Sequence, residues 1–256
     1  MVIIILTQYV FYHHIFWKIQ GYSLQMDEME FAFILFNTLI ITFSGYVIND
    51  YFDFETDLIN KKRTALNDYP LSKKSLKGLY ICLSIIICFC AIYYGWYYEK
   101  LSRSLIFLIV HVLLFLYSYR LKLYPLVGNV CVALLSALVV FILYFFENSL
   151  WPFPEYYWLK PVYFIGVFYF LFAFVLSFVR ELVKDIEDME GDKRSGARTF
   201  PILVGTNKTL DLIILSLCVL GAMTYLLLIL FFGKLKIMFL GILRKTRLCL
   251  EISKHI

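Results

Sequence analysis

Seven apolar runs, at about 2–17, 31–48, 78–98, 104–119, 123–146, 161–179 and 210–232, leave this chain few ways to fold. Each matches or approaches the roughly 20 residues that carry a helix across the hydrocarbon core of a bilayer. In that solvent a spanning segment must satisfy its own backbone hydrogen bonds. The sequence therefore predicts an all-α, polytopic membrane helical bundle of seven clear spans, with residues 1–256 forming a single domain. Composition agrees, since 61% of residues are hydrophobic and only 17% charged, outside the range of a soluble globular domain. After the seventh run, "KLKIMFLGILRKTRLCLEISKHI" offers an apolar core of about nine residues before Arg244, too short to span and expected as a short interfacial helix. The first run ends "HHIFWK" and lacks a basic n-region and a small-residue cleavage site, so it reads as a helix rather than a secretory signal.

Lys and Arg in the short loops set the orientation. The loops at 49–77, 118–125 and 180–208 hold 14 of them, against 6 in the loops at 18–30, 97–103, 147–160 and 233–236. The basic loops all fall on one side, which should be cytoplasmic, together with the N-terminus. A net charge of +5 then reflects topology and anionic phosphate ligands, and no basic run with interleaved aromatics suggests a nucleic-acid partner. Membrane lipid is the surrounding partner. The six cysteines, Cys82, Cys88, Cys90, Cys131, Cys218 and Cys249, form no CxxC pair and are expected as core packing.

Against that apolar background one pattern occurs twice. Residues 50–64, "DYFDFETDLINKKRT", and 185–199, "DIEDMEGDKRSGART", both fit D-x-x-D-x-E-x-D-x5-R-T. Each copy stands at the basic end of a hydrophobic helix, so the two are expected to face one another as half-sites. On a helix the positions i, i+3 and i+7 lie within about 60° of each other. Asp50, Asp53 and Asp57 thus share a face, as do Asp185, Asp188 and Asp192, while Glu55 and Glu187 are expected to point elsewhere. Three carboxylates on one face repel and need a cation. Oxygen donors without His or Cys favour a hard ion, Mg2+ over Zn2+, and Mg2+ takes only one or two carboxylates and fills its shell with water and substrate phosphate. With Arg63, Lys184, Arg194 and Arg198 close by in sequence, the pattern describes a diphosphate held through Mg2+ and capped by bases. An EF-hand fits less well, because its alternating ligands and central Gly are missing from the first copy.

These residues resemble the intramembrane UbiA-type prenyltransferases. "NDYFDFETD" is similar to the family's N-x-x-x-D-x-x-x-D motif through Asn49, Asp53 and Asp57, and "DMEGD" to its second motif through Asp188 and Asp192, with Asp50 and Asp185 extending each. "LYSYRLKLYPLVGN" resembles the family's Tyr/Lys loop, which implies that Lys122 contacts diphosphate and Tyr117 lines the site, although the Tyr-to-Lys spacing is five where four is commonest. The resemblance implies a bundle of roughly nine spans around a central cavity, in which a polyprenyl diphosphate ionises and its allylic carbon joins a lipid or aromatic acceptor. Against that pattern the chain is expected to begin inside its first span and to end one or two spans early.

"RELVKDIEDMEGDKRSGARTFPILVG" is most similar to members that join a geranylgeranyl group to geranylgeranylglyceryl phosphate, an ether-lipid step. Arg180 and Lys184, four apart, either hold the acceptor's phosphate or pair with Glu181 or Asp188 and snorkel to the interface. Prenylation of an aromatic quinone precursor is the alternative. A cation transporter is a more distant one, since it would be expected to carry charge at mid-membrane, whereas these acids sit at span ends. His13 and His14 are read as interfacial, Gln8 as a helix-bridging amide and Asn129 as a residue orienting the Lys122 loop.

Overall fold

The computed structural model describes residues 1–16, 25–60, 72–148, 150 and 160–252, and the side chains of these except 55–60, 160, 194, 195 and 230–252. Helix α1 (Val2–Val10) passes into a π-helical turn (Phe11–Phe16) and is followed by α2 (Glu28–Asn60), α3 (Lys73–Tyr97) and α4 (Leu101–Tyr119). A 3-10 turn (Leu121–Leu123) leads to α5 (Val127–Phe146), α6 (Lys160–Glu187), α7 (Met189–Ser195), α8 (Phe200–Val204) and α9 (Thr206–Ile252). No strand occurs among the described residues.

Among the described residues six helices are long and apolar enough to cross a membrane, over Glu28–Phe54, Lys73–Tyr97, Leu101–Tyr119, Val127–Phe146, Pro161–Glu187 and Thr206–Ile229. The run expected as the first span forms the shorter apolar helix Val2–Phe16. At the other end, α9 continues to Ile252 through the turn expected at 233–236. No proline interrupts residues 206–252, so nothing in the backbone chemistry stops the helix.

Polar anchors fix the registers. Asp27 Oδ1 accepts from the Glu30 backbone N–H at 2.6 Å and starts α2, and the Ser72 hydroxyl oxygen accepts from the Ser75 N–H at 3.1 Å and starts α3. Helix α2 packs against α3 and α4, α5 runs along α6, and α9 covers α6. Gly166 permits the α5–α6 contact, since a Cβ there would lie 2.3 Å from Tyr144 Cζ. The Tyr144 hydroxyl in turn donates to the Val162 carbonyl at 3.0 Å. Gln8 is fully buried and bridges helices as expected, its amide donating to the Val139 carbonyl at 2.5 Å and to Thr38 Oγ1 at 3.3 Å. The five described cysteines are free; Cys90 is buried, but Cys82, Cys88 and Cys218 face outward on apolar helices rather than packing a core. Cys249 lies outside the described side chains.

At mid-bundle, His111 on α4 contacts Ser44 on α2 through Nδ1 at 3.1 Å, and Ser84 and Tyr80 on α3 through Nε2 at 3.0 and 3.3 Å. At the N-terminal end of α2, Glu30 is 2% exposed and accepts hydrogen bonds from the Tyr94 hydroxyl and from Lys100 Nζ, the latter at 2.6 Å. Glu147, also buried, accepts from the backbone N–H groups of Gln25 and Met26. Arg103 donates to the Phe146 carbonyl at 3.0 Å and to Asn148 Oδ1. This end of the bundle is closed by satisfied polar groups. Removing one partner of a buried pair strands the other, at a cost of about 3–5 kcal/mol. Glu30→Ala is therefore expected to lower the thermal midpoint of the detergent-solubilised protein strongly, and a midpoint equal to wild type would show that the Lys100 and Tyr94 contacts carry no stability.

Candidate active site

The opposite end of α2 is built differently. The helix runs unbroken through the first acidic motif, so Asn49, Asp50 and Asp53 emerge together on its cavity side. Asn49 Nδ2 donates to Asp53 Oδ2 at 2.9 Å, one helical turn apart. Lys122, on the 3-10 turn after α4, donates from Nζ to Asp53 Oδ1 at 2.5 Å and to Asn49 Oδ1 at 3.3 Å. The turn is held close to α5 because residue 128 is glycine; a Cβ there would meet Lys122 Cα at 2.8 Å.

The second motif arrives from the far side of the same cavity, which has a volume of about 640 Å3. Lys184, Asp185, Asp188 and Asp192 all line it. They do not share one straight helix, because α6 ends at Glu187 and Asp188 (φ −90°, ψ 1°) leads into α7. Backbone hydrogen bonds still cross the joint, from the Asp188 N–H to the Lys184 carbonyl at 2.9 Å and from the Asp192 N–H to the Asp188 carbonyl at 3.0 Å. Glu187, which uniform helix geometry had pointing elsewhere, also lines the cavity. Asn129 donates to Asp185 Oδ2 at 2.8 Å, fixing the second motif rather than the Lys122 loop.

Tyr117 lines the cavity as expected, while Arg180 does not. The Arg180 side chain is 75% exposed and lies 3.5 Å from Glu181, so the pairing alternative describes it better than an anion grip. Arg198 is exposed and outside the lining, and its backbone N–H donates to the Leu123 carbonyl at 3.4 Å. Asp57 and Arg194 have described backbones in α2 and α7 but lie outside the described side chains, and Arg63 lies outside the described residues altogether. Glu181 and Thr199 are buried and also line the cavity; Glu181 carried no sequence signal beyond its place near the motif, whereas Thr199 is the last residue of the repeated pattern.

Carboxylates outnumber ammonium groups in this lining by seven to two. Opposed like charges in a partly enclosed site disfavour one another's ionised form and attract cations. The donors are all hard oxygens, yet no three acidic, His or Cys side chains among the described residues form a ready metal cage. That arrangement suits an ion bound by one or two carboxylates and completed by water and phosphate.

The model of the UbiA prenyltransferase family matches residues 21–244. The chain belongs to the UbiA prenyltransferase family. Within it, the chain is 34% identical over 163 residues to the digeranylgeranylglyceryl phosphate synthase of Methanobrevibacter smithii, covering 63% of this chain and 54% of that protein. It is 35% identical over 190 residues to the digeranylgeranylglyceryl phosphate synthase of Methanosphaera stadtmanae, covering 73% and 63%. The chain thus spans little more than half the length of these relatives. A solved structure described as "Structural and mechanistic insights into the biosynthesis of Digeranylgeranylglyceryl phosphate synthase in membranes" has the same fold, with a TM-score of 0.61 at 24% identity over 89% of this chain and 72% of that one.

Two glycines of this UbiA-family chain separate close approach from mere helix propensity. Gly128→Ala is expected to cost about 1–3 kcal/mol through the clash with the Lys122 backbone. Gly78, exposed on α3 with nothing near its missing Cβ, should gain about 0.5–1 kcal/mol as Gly78→Ala. Thermal midpoints moving in the same direction would contradict the packing of the 121–123 turn on α5.

Proposed function

We propose that this chain is an integral membrane enzyme that transfers a polyprenyl group, geranylgeranyl, from its diphosphate to geranylgeranylglyceryl phosphate. The observation that carries this reading is the meeting of two repeats, 135 residues apart, with Lys122 at one cavity in an apolar bundle. The relatives' name, digeranylgeranylglyceryl phosphate synthase, supports that acceptor.

Asp53 and Asp57 on one side, and Asp188 and Asp192 on the other, would hold Mg2+, with Asn49, Asp50 and Asp185 supporting them. Magnesium, when bound, offsets the negative charge that gathers on the departing diphosphate. Lys122 and Lys184 neutralise phosphoryl oxygens from within the cavity, and Arg63, Arg194 and Arg198, which follow the acidic motifs in sequence, add further positive charge. The bond between the allylic carbon and the diphosphate oxygen breaks, and its electron pair leaves with diphosphate. The acceptor's hydroxyl oxygen bonds to that carbon, and its proton passes to a cavity carboxylate. Apolar walls keep water from the allylic carbon. The acceptor's phosphate falls to Lys184, since Arg180 stands outside the lining.

Substituting Asp53, Asp57, Asp188 or Asp192 by Asn should reduce transfer by roughly a hundredfold or more with expression intact, because each change removes negative charge without emptying a core. The assay offers geranylgeranyl diphosphate with geranylgeranylglyceryl phosphate or with 4-hydroxybenzoate. Ether product is expected from the former; product from the aromatic acid alone would replace this acceptor with a quinone precursor, and near wild-type turnover in any two Asn variants would reject the site.

The basic loops that bear the site belong on the cytoplasmic face of the cell's inner membrane. Single cysteines placed at 61, 122 and 194 in a chain otherwise free of thiols should react with impermeant maleimide from that side. Those at 28, 100 and 155 should react from the other, and labelling of 61 and 194 from different sides would break the paired-motif arrangement.

A further inference from the structure

The repeated pattern ends in a threonine that the site described so far does not use. Thr199 closes the second copy; its counterpart in the first, Thr64, lies outside the described residues. Thr199 is 6% exposed, lines the cavity, and its hydroxyl has no hydrogen-bond partner among the described residues. The other unpartnered buried polar atom among the described residues, Gln8 Oε1, lies away from the cavity.

Local sequence explains why the hydroxyl is free. Threonines inside the helices, such as Thr38, Thr42 and Thr209, donate to the carbonyl four residues earlier. Thr199 instead precedes α8 with extended backbone (φ −66°, ψ 160°), where a threonine ordinarily accepts from the second or third helical N–H. The second helical residue is Pro201, which has no N–H. The N–H of the third, Ile202, already bonds to the Thr199 carbonyl at 3.1 Å. Helix α8 therefore forms without the Thr199 hydroxyl.

The surroundings say what the hydroxyl meets. The Ala197 N–H donates to the Asp192 carbonyl at 3.0 Å, and the Arg198 N–H donates to the Leu123 carbonyl at 3.4 Å, so the segment before Thr199 is strapped to both the second acidic motif and the Lys122 turn. A buried donor facing a cavity with two lysines is matched by an anionic oxygen. We propose that Thr199 is a phosphoryl-binding residue whose hydroxyl donates a hydrogen bond to a phosphoryl oxygen of a bound substrate, either the diphosphate of the prenyl donor or the phosphate of the acceptor. The inference rests on the prenyl-transfer reading for the identity of those ligands.

Thr199→Val keeps the shape of the side chain and removes only the hydroxyl, and Thr199→Ser keeps the hydroxyl. Titration calorimetry on the full chain in detergent compares wild type and both variants with inorganic pyrophosphate in MgCl2 and, separately, with geranylgeranylglyceryl phosphate. Ligand-free thermal midpoints are measured alongside. Thr199→Val should match or exceed the wild-type midpoint, because a buried hydroxyl without a partner is lost, while its affinity for at least one ligand falls roughly tenfold or more, the weight of a hydrogen bond to a charged group. Thr199→Ser should bind within a few-fold of wild type. Loss confined to pyrophosphate assigns the hydroxyl to the donor's diphosphate, and loss confined to the glyceryl phosphate assigns it to the acceptor. Wild-type affinity of Thr199→Val for both ligands overturns the proposal, as does a fall in affinity that tracks a lowered midpoint and is not rescued by serine. A wild-type chain that binds neither ligand overturns it too. Binding without any ether product would instead defeat the proposed reaction and leave Thr199 judged by its own titrations.

Discussion

Lys122 reaching Asp53 across 2.5 Å is the contact on which the site's geometry depends. It joins α2, which carries the first motif, to the short turn between α4 and α5. At an effective dielectric near 20 a pair of unit charges about 4 Å apart interacts by about 4 kcal/mol, so this ammonium is a strong local influence on the first motif. It is still one charge among many acids. Among the described side chains that line the cavity of about 640 Å3, seven are carboxylates and two are ammonium groups. An arrangement of that kind suits a hard cation that shares its shell with water and phosphate.

The two ends of α2 show the same residue type under opposite rules. At the N-terminal end Glu30 is buried and accepts from Tyr94 and Lys100, and Glu147 accepts from two backbone N–H groups. Those acids are used up in closing the bundle. At the other end Asp50, Asp53, Asp185, Asp188 and Asp192 border open volume. A buried acid with its donors in place argues for structure, whereas several acids facing one another across a cavity argue for a ligand.

That contrast also marks what could be read before the fold was known. Asp50 and Asp53 were legible because α2 stays straight through them, so residue spacing translates directly into a shared face. The second motif was legible as a cluster but not in its detail: α6 ends one residue before Asp188, and Glu187 also lines the cavity. No periodicity encodes that joint. Asn129 finding Asp185, 56 residues away, is a tertiary contact that spacing cannot reveal. For Arg180 the sequence left two partners open, and only the placement of α6 separates an exposed arginine beside Glu181 from a cavity base. At 233–236 polar residues suggested a turn, but the helix had no reason to stop.

Helix α2 acts as the spine that relates these parts. It is tied near its start by Glu30, midway by Ser44 to His111, and near its end by Asp53 to Lys122. At about 1.5 Å per residue the three ties are spaced by roughly 21 and 14 Å along the axis. Each connects α2 to a group on α4 or in its flanking turns: Lys100 before it, His111 within it, Lys122 after it. Sliding α2 against α4 by a single residue would turn all three anchor groups by about 100° and break every tie at once. In a bilayer, where apolar surface is at home on either side of a helix, packing of Leu, Ile and Phe alone distinguishes such registers weakly. Three polar ties on one pair of helices supply the missing specificity, and they set the position of Asp53 relative to Lys122 from as far away as the opposite end of the bundle.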